Sequence, residues 1–61
     1  MDYYYDRCER ILKWSKYIKK FDTSFIESVM DYYDEHGEFT IAQEIAIDNI
    51  IRKFRISKKY Q

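Results

Sequence analysis

Gly37 is the only glycine in the chain and there is no proline, so the backbone has almost no material for sharp reversals. The glycine opens the stretch Gly37-Glu38-Phe39-Thr40-Ile41-Ala42-Gln43, which reads as the stop of one helix and the start of the next. Glycine takes a left-handed φ at the position after a helix without steric penalty. Thr40 and Gln43 then have capping-box spacing, the threonine hydroxyl accepting from the Gln43 N–H while the glutamine side chain reaches back to the N–H of Thr40. Stop and start lie so close that the flanking helices are expected to fold back as a hairpin. Phe39, between the two signals, is placed to plug the end of a core.

Around this hinge the apolar residues recur at helical spacing. A first helix is expected over about residues 3–20 with Asp2 as N-cap, and Tyr4, Cys8, Ile11, Leu12, Ser15 and Ile18 form its inner face. Trp14, Tyr17 and Phe21 widen that face, and which flank of it turns inward is left open. Arg10, Lys13, Lys16 and Lys20 fall mainly on the other side. The run Asp22-Thr23-Ser24 is rich in capping residues, with Ser24 and Glu27 at capping-box spacing and Asp22 as the rival cap. A second helix is expected over 24–36, with Ile26, Val29, Met30 and Tyr33 as its buried stripe. A third is expected over 41–55 on Ile47, Ile50, Ile51 and Phe54, extended backwards by Ala46 and by Ile45 or Ala42. The tail from Ser57 to Gln61 is polar and expected to fray. The expectation is an all-α fold, one domain over residues 1–61, with three helices running up-down-up.

A chain of 61 residues lies near the lower size at which one core folds unaided. Its expected stability is roughly 3–9 kcal/mol. Aromatic residues make up 20% of it, and each ring buries a large area. Cys8 is the only cysteine, which excludes an internal disulfide and suits a reducing compartment. No apolar run approaches the ~20 residues of a membrane span, and the N-terminus lacks the basic-then-apolar pattern of a signal peptide. A cytoplasmic protein is expected.

Net charge is zero, but the distribution is uneven. No lysine or arginine occurs from Phe21 to Ile51, where Asp22, Glu27, Asp31, Asp34, Glu35, Glu38, Glu44 and Asp48 all lie. On an up-down-up bundle, Lys16, Lys19 and Lys20 at the end of the first helix and Arg52, Lys53, Arg55, Lys58 and Lys59 at the end of the third gather at one pole, the first six residues of that set being the candidate phosphate contacts, and Asp2, Asp6, Glu9, Asp34, Glu35, Glu38 and Glu44 gather at the other. Acids at helix starts and bases at helix ends also match the macrodipole, so a purely structural origin covers the first and third helices. It does not cover the second, whose last turn carries Asp34 and Glu35 against its dipole. Bases interleaved with Trp14, Tyr17 and Phe54 have the composition of a phosphate-contacting patch with stacking surfaces.

Catalysis is not expected. There is no glycine-rich phosphate loop and no serine nucleophile motif, and so short a chain has little room for a cleft that would separate carboxylate pKa values. The single histidine, His36, reads as a helix-end residue rather than a metal ligand, and Cys8 as a small core residue. No catalytic, cofactor or metal residue is assigned. Nor does the hairpin suit a sequence-reading helix-turn-helix: Tyr33 falls where that motif needs a small residue, Gln43 where it needs an apolar one. The tyrosines carry more information. Tyr3, Tyr4 and Tyr5 point about 100° apart on a helix and cannot all face one core, and Tyr32 and Tyr33 likewise diverge. Exposed aromatics rimmed by charge are typical of protein interfaces, whereas rings lying flat would merely shield a small core.

The elements Phe25-x-x-Ser28-Val29 and Gly37-x-Phe39-Thr40-x-x-Gln43, followed by an apolar helix, resemble a helical hairpin of small bacterial and bacteriophage proteins. Such hairpins also occur as accessory segments of larger DNA-metabolism proteins. The likeness covers over half the chain and implies a phage or bacterial accessory protein, in the host cytoplasm if phage-encoded. Its matched positions are capping and core residues and bring no catalytic role. The leading expectation is a non-enzymatic, regulatory protein-interaction module acting on a nucleic-acid-processing partner through Tyr3, Tyr5, Tyr32, Asp34 and Glu35. The alternatives are direct, sequence-independent nucleic-acid binding through the basic pole, and self-association.

Overall fold

Asp2 opens the first helix: its carboxylate accepts from the backbone N–H groups of Tyr4 (2.7 Å) and Tyr5 (3.4 Å). The computed structural model describes residues 2–60, Tyr60 by its backbone alone. Among these residues the chain forms α1 over Tyr3–Ser15, α2 over Ser24–His36, α3 over Ile41–Phe54 and a 3-10 turn over Lys58–Tyr60, with no strand. The hinge is built as its sequence dictates. Gly37 takes φ 76° after α2 and donates its N–H to the Tyr33 carbonyl at 2.7 Å. Thr40 and Gln43 exchange both capping-box bonds, at 2.9 and 3.1 Å.

Ring and polar contacts fix the helix directions. Near the start of α1, Tyr5 meets Tyr33 at the end of α2, with ring centroids 5.2 Å apart. Near its end, Trp14 meets Phe21, which leads into α2, and Phe54, which ends α3. Thus α2 runs against α1 and α3 runs with it, the up-down-up order. The radius of gyration is 10.9 Å, close to the roughly 10.5 Å of a well-packed chain this long. Ile11, Ile26, Ile47 and Cys8 are fully buried at the centre, joined by Trp14, Val29, Phe39 and Ile56. Phe39 plugs the hinge end of this core. Trp14 decides which flank of α1 turns inward: it is buried, while Tyr17 stands 75% exposed.

Helix α1 stops at Ser15, well short of Lys20. The last N–H groups switch to i→i−3 bonds, Tyr17 to Trp14 and Ile18 to Ser15, both at 3.0 Å. The Ser15 hydroxyl donates to the Leu12 carbonyl at 2.7 Å, taking an acceptor that a further turn would need. Continuing the helix would also stack Lys16, Lys19 and Lys20 at repelling i, i+3 and i+4 spacings. It would carry Phe21 away from the ring of Trp14. Ile18, expected on the inner face, is instead 39% exposed in the connection.

At the start of α2 the cap is shared differently from either expectation. Asp22 accepts from the Ser24 N–H at 2.9 Å, Ser24 is already helical, and the Thr23 hydroxyl donates to Glu27 at 2.6 Å. On α3, Ala42 and Ile45 lie on the solvent side, and Ala46 alone extends the inner stripe part-way.

The tail holds the largest departure. Arg55 takes a left-handed conformation (φ 52°, ψ 47°), and the N–H of Ile56 returns to the Ile51 carbonyl at 3.1 Å. This is a Schellman ending with arginine where glycine is usual. It turns Ile56 into the core and lays the 3-10 turn against α1. Ser57 to Tyr60 are therefore organised rather than frayed; Gln61 lies outside the described residues. With α2, α3 and this turn all packed on it, α1 has little open surface. Arg10, expected on its solvent side, is 5% exposed, and its Nε has no hydrogen-bond partner among the described residues.

Candidate functional site

The parallel course of α1 and α3 brings their C-terminal ends together, and with them the bases that the sequence places far apart. Trp14, Phe21 and Phe54 form a triad whose ring centroids are 5.1, 5.3 and 5.4 Å apart. Trp14 is buried beneath it, Phe21 half-buried, and Phe54 open at its edge. Lys16, Lys19 and Lys20 occupy the connection between Trp14 and Phe21, and all three are exposed. Arg52, Lys53 and Arg55 flank Phe54 in sequence at the end of α3 and are also exposed, with the Lys53 ammonium 5.6 Å from the Phe54 ring centre. Tyr17 adds an exposed ring beside Lys16.

Among the described residues only two contacts join a base to a carboxylate. Arg7 meets Asp48 at 2.8 Å, and His36 lies 3.9 Å from Glu35. Neither involves Lys16, Lys19, Lys20, Arg52, Lys53 or Arg55. Six cations thus share one pole with no ion-pair partner among the described residues. Dipole matching explains why each base sits at a helix end, but not why no carboxylate joins them. Asp22 is the acid nearest in sequence, and its carboxylate is occupied by Ser24, whose hydrogen bonds hold its pKa below the usual value.

The tyrosine residues divide between two sites at the opposite pole. On one flank of α1, Tyr4 donates its hydroxyl to Asp48 at 3.0 Å, and Arg7 bonds the same carboxylate, tying α1 to α3. That hydrogen bond, then partial desolvation, raises the Tyr4 pKa. Arg7 also donates to the Tyr3 hydroxyl and lies 4.4 Å from that ring centre. Tyr3 itself remains 60% exposed. On the other flank Tyr5 packs on Tyr33, which packs in turn on Phe39 at 4.7 Å. Desolvation first, then the nearby Asp34 charge, raises the Tyr5 pKa. Tyr32 is half-buried and stacks on His36 with centroids 4.1 Å apart. Asp34 and Glu35 are exposed. The five residues expected to bind a partner therefore spread around this pole: Tyr3 belongs to the α3 side, Tyr5 to the α2 side, and Tyr32 to a stack along α2. Asp48 and Arg7, which knit one flank together, carry no local sequence signal, since only the fold brings them into contact.

Burial pushes the Cys8 thiol up to about 12, with lesser contributions from Asp2 and Glu9, so it stays protonated at neutral pH. No group of three His, Cys, Asp or Glu side chains among the described residues could hold a metal ion. No helix among them is long and apolar enough to cross a membrane. Comparison with protein-family profiles, with curated proteins and with solved structures gave no match.

Proposed function

We propose that this protein is a non-enzymatic module that binds single-stranded nucleic acid, without sequence preference, through its basic pole. One observation carries the reading: six exposed bases without carboxylate partners among the described residues share one pole with an aromatic triad whose outer ring, Phe54, is open. Bases that track a phosphate backbone beside rings on which nucleobases stack are the working parts of sequence-tolerant single-strand binding. Lys16, Lys19, Lys20, Arg52, Lys53 and Arg55 contact phosphates, and Phe54 offers a stacking face. The resemblance of Phe21–Phe54 to hairpins in phage and bacterial DNA-metabolism proteins is in keeping with this role, as is a place in the cytoplasm.

The test is a fluorescence-polarisation titration of labelled single- and double-stranded DNA and RNA at about 50 and 200 mM salt. Single strands bind more tightly than duplex, and the affinity falls steeply between the two salts. Phe54→Ala lowers single-strand affinity at both salts, while a Lys20→Ala, Arg52→Ala double variant reduces the salt slope by about 1–2. Absence of binding at the lower salt overturns the proposal.

A second reading, binding of a protein partner at the acidic pole, is favoured by the 60% exposure of Tyr3 and by the open carboxylates of Asp34 and Glu35. Alanine at Tyr3 and Tyr32 would then abolish capture of that partner while leaving nucleic-acid affinity unchanged.

A further inference from the structure

Arg10 is the one buried charged side chain among the described residues, 5% exposed in the second half of α1. At about 100° per residue it stands within about 40° of Trp14 and 60° of Arg7, and about 140° from Tyr5, which faces α2. Its flank is therefore the one turned to α3 and to the 3-10 turn that packs on α1. Arg7 on the same flank is held by Asp48 and by the Tyr3 hydroxyl. Arg10 has neither an ion pair nor a hydrogen bond with any described residue, and its Nε is sealed from solvent. Asp6 has the i, i+4 spacing to pair with it and does not. The turn brings no acid either: it carries Lys58 and Lys59, both exposed. Packing does not account for the charge. A methionine would fill the space of the arginine stem, and a buried cation without a counter-charge costs more than the apolar residue that could replace it.

We infer that Arg10 is one half of a phosphate-binding site whose other half is Lys58, at the seam between α1 and the 3-10 turn. A guanidinium offers a phosphate two parallel N–H donors, and an ammonium on a flexible stem adds a point charge. With the Nε–H of Arg10 sealed, its two Nη groups are the edge that donates to the phosphate oxygens. The phosphate supplies the counter-charge that the fold withholds. Lys58 follows Arg55 by three residues, so the site adjoins the basic pole. For a phosphate in a nucleic-acid backbone the inference rests on the single-strand reading of that pole, the strand following the turn from Arg55 towards Arg10. A free phosphate or phosphomonoester has the same chemistry and needs no strand.

The test titrates the full chain, labelled with 15N, with inorganic phosphate and with chloride at equal ionic strength, reading the Arg10 Nε–H and Lys58 amide resonances. Both are expected to shift and saturate with phosphate and to stay fixed in chloride. Arg10→Met removes an uncompensated charge, so it is expected to melt higher than wild type and to abolish the Lys58 shift. Lys58→Ala, at an exposed position, keeps the fold and weakens the Arg10 shift. A labelled oligothymidylate of about 10 nucleotides separates the two sources of phosphate. Arg10→Met lowers its affinity several-fold where the phosphate belongs to a strand. Phosphate shifts without strand binding support this site and overturn the single-strand reading. Strand binding that Arg10→Met leaves unchanged, together with no phosphate shift, overturns the site and leaves that reading standing. Resonances that ignore both probes, or that respond equally to chloride, overturn the site, as does an Arg10→Met variant that melts below wild type with the Lys58 shift intact.

Discussion

Arg55 holds a left-handed backbone that an L residue with a Cβ adopts at a cost of roughly 1–2 kcal/mol. The position also carries one of the six bases of the candidate site, which offers a reason for arginine to stand where glycine would be easier. Arg55→Gly is therefore expected to raise stability by about 1 kcal/mol, shifting the melting temperature upward by several degrees, while lowering single-strand affinity. Melting curves and titrations on the same sample check both directions. A second residue-scale expectation concerns alkali. Cys8, Tyr4 and Tyr5 all have pKa values raised in the folded protein. Each favours folding while protonated, fully so below its unfolded value, and the contribution is lost as pH rises through the folded one. For Cys8 that window runs from 9.0 to about 12; for the tyrosines it opens near 10. The melting temperature should fall between about pH 8 and pH 10.5, and Cys8→Ala, less stable at the start, should fall less over that range.

At the scale of elements, the short return after α3 matters more than its length suggests. Ile56 is 5% exposed and anchors the 3-10 turn against α1. Ile56→Ala is expected to cost about 2–4 kcal/mol, a large share of the roughly 3–9 kcal/mol available to a chain this size. Ile41→Ala, on the open side of α3, should change stability by less than about 0.5 kcal/mol; thermal melts followed by circular dichroism compare the two. This contrast marks where the sequence is legible. The Asp2 cap, the Gly37 stop and the Thr40–Gln43 box rest on residues two to four apart, so their chemistry is written locally. The end of α1, the inward turn of Ile56 and the burial of Arg10 depend on segments that meet only in the folded chain. Ile45 and Ala42 have the spacing for either of two faces, and packing against α1 chose between them.

For the whole molecule, the charge polarity follows from chain order once α1 and α3 run parallel, and the six bases were legible as a pole for that reason. The aromatic triad beneath them was not, because Phe21 reaches Trp14 only where α1 gives way to a turn. The opposite pole is less unified than its sequence implies, its tyrosines being divided between the two flanks of α1. At its centre lies a lone thiol with no solvent exposure, enclosed by side chains from all three helices. In a body this small, uncovering Cys8 means parting α1 from its neighbours, so alkylation of the native protein must wait for nearly complete opening. The rate at which the thiol is trapped thus becomes a clock for unfolding. Anything that binds the folded state, such as a strand at the basic pole, should slow that clock by mass action without coming near the sulfur.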